Sequence, residues 1–236
     1  MRALADFIMR GRMQATLVVV GSAAVPLLFW LSAAAGSLVL LRRGASDAMG
    51  ILAWAMLPAI AWWYFGEPRT LLVLVGALSL ALLLRASWTW NRILLCSVAL
   101  GLVYGLVLGA VFREPIEAMA GELQKLLPTM FDGAHQQLSV SERERLEALI
   151  APVLTGLLAA LLQILSLLSL ILGRYWQAVL YNPGGFGREF RALRLSLPQA
   201  LLLLAGMILG PNLGPQLAML TPLCSVPLLF AGIALV

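Results

Sequence analysis

The sequence predicts an all-α protein: a polytopic transmembrane helical bundle forming a single integral membrane domain over residues 1–236. Three observations lead there. Only 11% of the 236 residues are charged and 61% are hydrophobic, against about 25% charged in a soluble domain. The apolar residues gather into runs close to the roughly 20 residues that a membrane-crossing helix needs. The arginines collect at the ends of those runs, where positive charge sets orientation. The isoelectric point of about 9.9 is therefore read as a topology signal. It does not imply nucleic-acid binding, because no basic patch with base-stacking aromatics stands outside the apolar runs.

Residues 1–14 carry Arg2, Arg10 and Arg12 against the single Asp6. The apolar run Ala15–Leu41 follows. Gly21–Ala24 leads into more hydrophobic sequence, so the run is read as retained and not as a cleaved secretory signal. Its 27 residues are long for one span and short for two. Pro26, in its middle, removes a helical hydrogen bond and clashes with the preceding turn; a kink or a short, broken hairpin results.

Ala48–Phe65 is the next run and ends in the turn Gly66–Arg69. Thr70–Leu84 ends at Arg85, and Trp88 and Trp90 on the link behind it read as interfacial indoles with one wet edge. Ile93–Phe112 carries Gly101, Gly105 and Gly109 at every fourth position, a stripe that lets another helix approach closely.

Arg113–Glu147 is the one long polar segment. Pro115 suits the first turn of a helix, and Ile116, Met119, Leu123, Leu126 and Leu127 then recur at helical spacing. Pro128 reads as its stop. Capping boxes at Ser139 with Glu142 or Ser141 with Glu144 start the next helix. Residues 113–149 are thus expected to form amphipathic helices on the extracytoplasmic membrane surface. The lone His135 and the nearby acids lack metal-ligand spacing.

Val153–Leu172 is a span containing Gln163, Ser166 and Ser169. Arg174–Arg194 then breaks the hydrocarbon with aromatics, glycines and arginines, and residues 174–196 read as a cytoplasmic elbow. Within it, Tyr181, Asn182, Gly184, Gly185, Gly187 and Arg188 have two readings. Backbone N–H groups of the glycines, with Arg188, offer an anion site. Alternatively, Asn182-Pro183 and Gly184-Gly185 make a tight turn, and an interfacial helix points Arg188, Arg191 and Arg194 at anionic headgroups. Leu197–Leu209, a turn at Gly210–Pro215 and Leu217–Val236 complete the chain. The last run is apolar to its end and is read as continuing in a longer protein.

Charge chooses the threading. With a hairpin at Pro26, the cytoplasmic segments hold eleven of the sixteen basic residues: Arg2, Arg10, Arg12, Arg42, Arg43, Arg85, Arg92, Arg174, Arg188, Arg191 and Arg194. The outer segments hold eight of the eleven acids. The positive-inside rule then gives about eight crossings with the N-terminus in the cytoplasm.

Essentially no charged residue sits inside an apolar run, which argues against a proton-coupled pump or an ion channel with a charged filter. HExxH and Walker A motifs are absent, and the one histidine lies in the polar island, away from any buried serine. Cys96 and Cys224 read as small buried hydrophobes. No catalytic residue, metal or cofactor is expected, and the protein is read as non-enzymatic.

The segment Pro26–Gly44, the amphipathic island and Tyr181–Leu195 together resemble the YybS-like family of predicted bacterial membrane proteins. The resemblance extends distantly to the substrate-binding subunits of energy-coupling-factor transporters and to the rod-shape protein MreD. It implies an inner-membrane, transporter-like bundle that captures a small solute. Those substrate-binding subunits carry alanines at every fourth position of the first helix; here Ala33, Ala34 and Ala35 are contiguous. The uncharged lining implies a small neutral or amphipathic solute, with Gln163, Asn182 and Asn212 as polar candidates. The alternative is a membrane scaffold, in which the Gly101/Gly105/Gly109 face and the arginine elbow dock envelope partner proteins. A lipid-acting enzyme is the third reading. Membrane lipids are the expected partners, with a membrane protein as a further one.

Overall fold

The computed structural model describes residues 2–130 and 140–234. Its elements are α1 (Arg2–Arg10), α2 (Arg12–Ala24), α3 (Phe29–Arg43), α4 (Ala45–Tyr64), α5 (Arg69–Arg85) and α6 (Trp90–Val111). They continue with α7 (Arg113–Met130), α8 (Val140–Tyr181), α9 (Gly185–Arg191), α10 (Leu197–Leu213), a 3-10 turn (Pro215–Met219) and α11 (Leu220–Ile233). No strand occurs among the described residues. Asp132, His135 and Ser139, weighed above for a metal site and a helix cap, lie outside them. Among the described residues, four helical segments are long and apolar enough to cross a membrane: Ala45–Tyr64, Trp90–Val111, Glu144–Tyr181 and Pro215–Ile233.

The chain forms two compact units. The first comprises Met1–Ser97, Leu162–Leu195 and Phe230–Val236; the second comprises Val98–Leu161 and Ser196–Leu229.

In the first unit, Pro26 breaks the long apolar run as the sequence suggests. The turn closes with Leu28 N–H donating to the Val25 carbonyl at 2.9 Å. The two arms then pack on each other, and Ser32 Oγ donates to the Val19 carbonyl at 2.7 Å. α3 is the centre of the unit, with every residue from Ser32 to Leu40 buried. Small residues make this possible. A Cβ added at Gly173 of α8 would lie 2.8 Å from the Ala34 carbonyl oxygen, so α8 runs backbone-close against α3. All the buried polar side chains described in the chain belong to this unit: Ser22, Ser32, Ser37, Thr70, Ser97, Gln163, Ser166 and Ser169.

The arginine-bearing ends of the unit meet. Arg12 pairs with Asp47 at 2.6 Å. Arg43 donates to the Met9 carbonyl at 3.0 Å, and Arg85 Nη1 donates to the Leu40 carbonyl at 3.1 Å and the Leu41 carbonyl at 3.2 Å. The Arg42 guanidinium lies 4.0 Å above the Tyr181 ring. Asn91 donates to the Arg194 carbonyl.

In the second unit, the 3-10 turn is clasped through glycines. A Cβ at Gly156 would stand 2.6 Å from Met219 Cα, and one at Gly105 would stand 3.1 Å from Met219 Sδ. At Gly210 it would meet the Leu217 carbonyl oxygen at 2.6 Å. Thr221 Oγ1 donates to the Met207 carbonyl at 2.8 Å, tying α11 to α10.

Several boundaries differ from expectation. The elbow does not begin at Arg174, because α8 continues unbroken to Tyr181. Its turn is confined to Asn182–Gly184. α7 passes through Pro128, and α10 passes through Gly210 and Pro211 to stop only at Gly214. Proline removes one helical hydrogen bond, and both helices continue past it. The expected wet edge of Trp90 is not seen. It is 7% exposed and meets Phe186 edge-on at 6.3 Å.

Candidate functional site

The second unit holds a cleft of about 490 Å³, within the range of about 300–1,000 Å³ typical of small-ligand sites. Three helices and the 3-10 turn build it. α6 contributes Gly105, Gly109 and Ala110, α7 contributes Ile116, and α8 contributes Pro152; Met219 closes one wall. These groups are apolar. The missing side chain of Gly109 leaves space, since nothing among the described residues lies within 4 Å of a Cβ added there.

Polar groups stand among them: Arg113, Glu117, Thr155 and Gln216. Arg113 Nε donates to Glu117 Oε1 at 2.6 Å, one helical turn along α7. That bond, with the charge of Glu117, raises the Arg113 pKa above its already high ordinary value, so the guanidinium stays charged at every working pH. Both side chains remain mostly exposed. The Thr155 hydroxyl donates to the Ala151 carbonyl at 2.8 Å, which leaves its oxygen to accept. The cleft therefore offers apolar contact to a nonpolar body, with a few directional polar groups and one ion pair.

The sequence-derived candidates fall in different places. Gly105 and Gly109 line the cleft, and Gly101 is buried on the same helix. The packing stripe is thus only partly a packing stripe: Gly105 is in close contact, while Gly109 is exposed and faces open space. Gln163 is not available to a ligand. It is fully buried in the first unit, where its Nε2 donates to Ser97 Oγ at 2.9 Å. Asn212 is exposed on α10 and occupied locally, donating to the Ile208 carbonyl at 3.0 Å and accepting from Arg145 Nη2 at 3.2 Å.

The elbow residues do come together. Gly184 takes φ +80°, a left-handed conformation that glycine adopts without strain. Asn182, Gly185 and Arg188 border one shallow pocket with Glu189. Gly187 lends its carbonyl to Arg191 Nε at 3.2 Å. Tyr181 faces away, under Arg42. Arg188, Arg191 and Arg194 are exposed, as headgroup contacts need to be.

What organises the elbow was missed by sequence reasoning. Arg174 holds Glu189 through two parallel hydrogen bonds, one of them 3.1 Å, and Phe186 inserts among Trp90, Tyr175 and Phe190. Glu189, the one acid of an arginine-rich stretch, was the available signal. Among the described residues, no group of three His, Cys, Asp or Glu side chains could hold a metal. Comparison with protein-family models, curated proteins and solved structures gives no match.

Proposed function

We propose that this is a non-enzymatic, multi-pass protein of the bacterial inner membrane that binds or handles a small amphipathic solute in the cleft of its second unit. The observation that carries the reading is the cleft itself: apolar walls, space left by Gly109, and Thr155, Gln216 and the Arg113–Glu117 pair among them. The membrane setting is supported by the four long apolar helices. Gathering of the arginine-bearing helix ends in the first unit favours one basic, cytoplasmic side, a cytoplasmic N-terminus and about eight crossings. The resemblance to YybS-like proteins and, distantly, to transporter substrate-binding subunits and MreD points the same way. The scaffold alternative draws less support, because Gly105, at the centre of its proposed docking face, is already filled by Met219.

Gly109→Phe should plug the cleft without disturbing packing, since no atom of the described residues lies within 4 Å of a Cβ there. Thermal unfolding of purified protein should rise with at least one class of amphipathic solute, and that rise should vanish in Gly109→Phe. Saturation at 100-fold the Kd stabilises by about 2.7 kcal/mol. A broad screen that shifts neither protein, or shifts both equally, refutes the cleft as the site.

A further inference from the structure

The first unit contains a second pocket, of different character. It has a volume of about 440 Å³ and is bordered by Arg85, Ser87, Thr89, Arg174, Gln177 and Glu189. Charged and hydrogen-bonding groups dominate it.

Its charges do not balance. Glu189 is the only carboxylate in the lining among the described residues, and both of its oxygens already accept from Arg174. Arg85 sits across from this pair. It makes no ion pair among the described residues, and its hydrogen bonds go from one nitrogen to the carbonyls of Leu40 and Leu41. Two guanidiniums against one carboxylate leave the pocket a formal excess of one positive charge. Arg85 keeps other N–H groups, and guanidinium geometry suits oxyanions.

The backbone adds to this. Ser87 takes φ +63°, the one positive φ of a non-glycine residue described in the chain. That conformation is uncommon outside glycine, asparagine and aspartate. It turns the link between α5 and α6 so that Ser87 and Thr89 both border the pocket. α6, 22 residues long, starts at Trp90, which borders the same pocket. The first N–H groups of a helix have no partner within it, and its dipole favours an anion there.

Two guanidiniums, two hydroxyls and the start of a long helix converge on one space holding an unneutralised positive charge. We propose that this pocket binds a phosphate group, carried either by an anionic phospholipid headgroup or by a soluble phosphate ester. A phosphate presents several acceptor oxygens in different directions, which matches donors arriving from α5, α6 and α8 better than a planar carboxylate does.

Thermal unfolding of the full chain in neutral detergent separates the sources. One arm adds millimolar inorganic phosphate at ionic strength held constant with chloride. The other adds phosphatidylglycerol to the micelles, against phosphatidylcholine as reference. The unfolding temperature should rise by several degrees in at least one arm. A rise with inorganic phosphate supports a soluble ester, and a rise with phosphatidylglycerol alone supports a headgroup. Apparent affinity should fall at least tenfold in Arg85→Gln. Arg85 also binds the end of α3, so the Ser87→Gly, Thr89→Ala double variant provides a second test. It removes both hydroxyls, keeps the backbone turn, and should weaken binding several-fold. No stabilisation in either arm overturns the proposal. So does an equal loss of affinity in Arg69→Gln, which removes an exposed charge that neither borders the pocket nor belongs to the headgroup-facing arginines.

Discussion

Gly156 and Gly109 look alike in the sequence and differ completely in the structure. A side chain at Gly156 would collide with the backbone of Met219, whereas one at Gly109 would meet nothing among the described residues. Backbone cannot step aside as a flexible side chain can, so Gly156→Ala should destabilise by about 1–3 kcal/mol, the usual cost of overpacking. Gly109→Ala should stay within about 0.5 kcal/mol of native, as surface changes do. Melting temperatures of the two variants in one detergent check this. Gly173, facing the Ala34 carbonyl, should behave like Gly156. Sequence spacing could flag Gly101, Gly105 and Gly109 because regular intervals are visible in one chain. It could not flag Gly156 or Gly173, since the need for glycine there arises from a partner far away in sequence.

At the scale of elements, the corner between α8 and α9 depends on one ion pair. The Arg174 side chain is only 18% exposed and that of Glu189 35%, so water screens the pair less than it would a surface pair. A double-mutant cycle with Arg174→Gln and Glu189→Gln should return a coupling of about 1 kcal/mol, above the median for exposed pairs. Additive losses would show that the aromatic cluster around Phe186 alone holds the corner. Helix ends were legible at Pro26 and Gly66, which mark turns, and at Arg85, which closes α5. They were illegible at Pro128 and Pro211, where the helix runs on through the proline, because whether a proline ends a helix is decided by tertiary surroundings that the local sequence does not record. α8 shows the scale of this. Its 42 residues span about 63 Å, twice the roughly 30 Å of a hydrocarbon core, so its charged first turns and its last turns extend beyond any one span.

At the scale of the whole molecule, the threading is defined by which loops share a side. With Cys96 and Cys224 replaced by serine, single cysteines at Arg10 and Ser87 should resist a membrane-impermeant maleimide in intact cells and react once the cells are opened. A cysteine at Glu67 should react in intact cells. Labelling of Ser87 from outside would overturn the proposed threading. Replacing Arg188, Arg191 and Arg194 together with glutamine should lower the inserted yield or invert the final segments, seen as external labelling of a cysteine at Gln199. Class and charge asymmetry were legible in the sequence because hydropathy and arginine placement are properties of the chain alone. The cleft was not. It assembles from α6, α7, α8 and the 3-10 turn, and nothing local to any of them records that the others enclose a space.

The buried pair of Ser97 and Gln163 has a consequence for how such a chain is made. Ser22, Ser97 and Ser166 each donate to a carbonyl of their own helix, at 2.5, 2.7 and 2.8 Å. Their polarity is hidden before any other helix arrives, so those segments can leave the translocation machinery singly. The amide of Gln163 finds its partner only on another helix, 66 residues earlier in the chain. Synthesis from the N-terminus puts Ser97 in place first, so the most polar buried residue of the later helix emerges to a waiting acceptor.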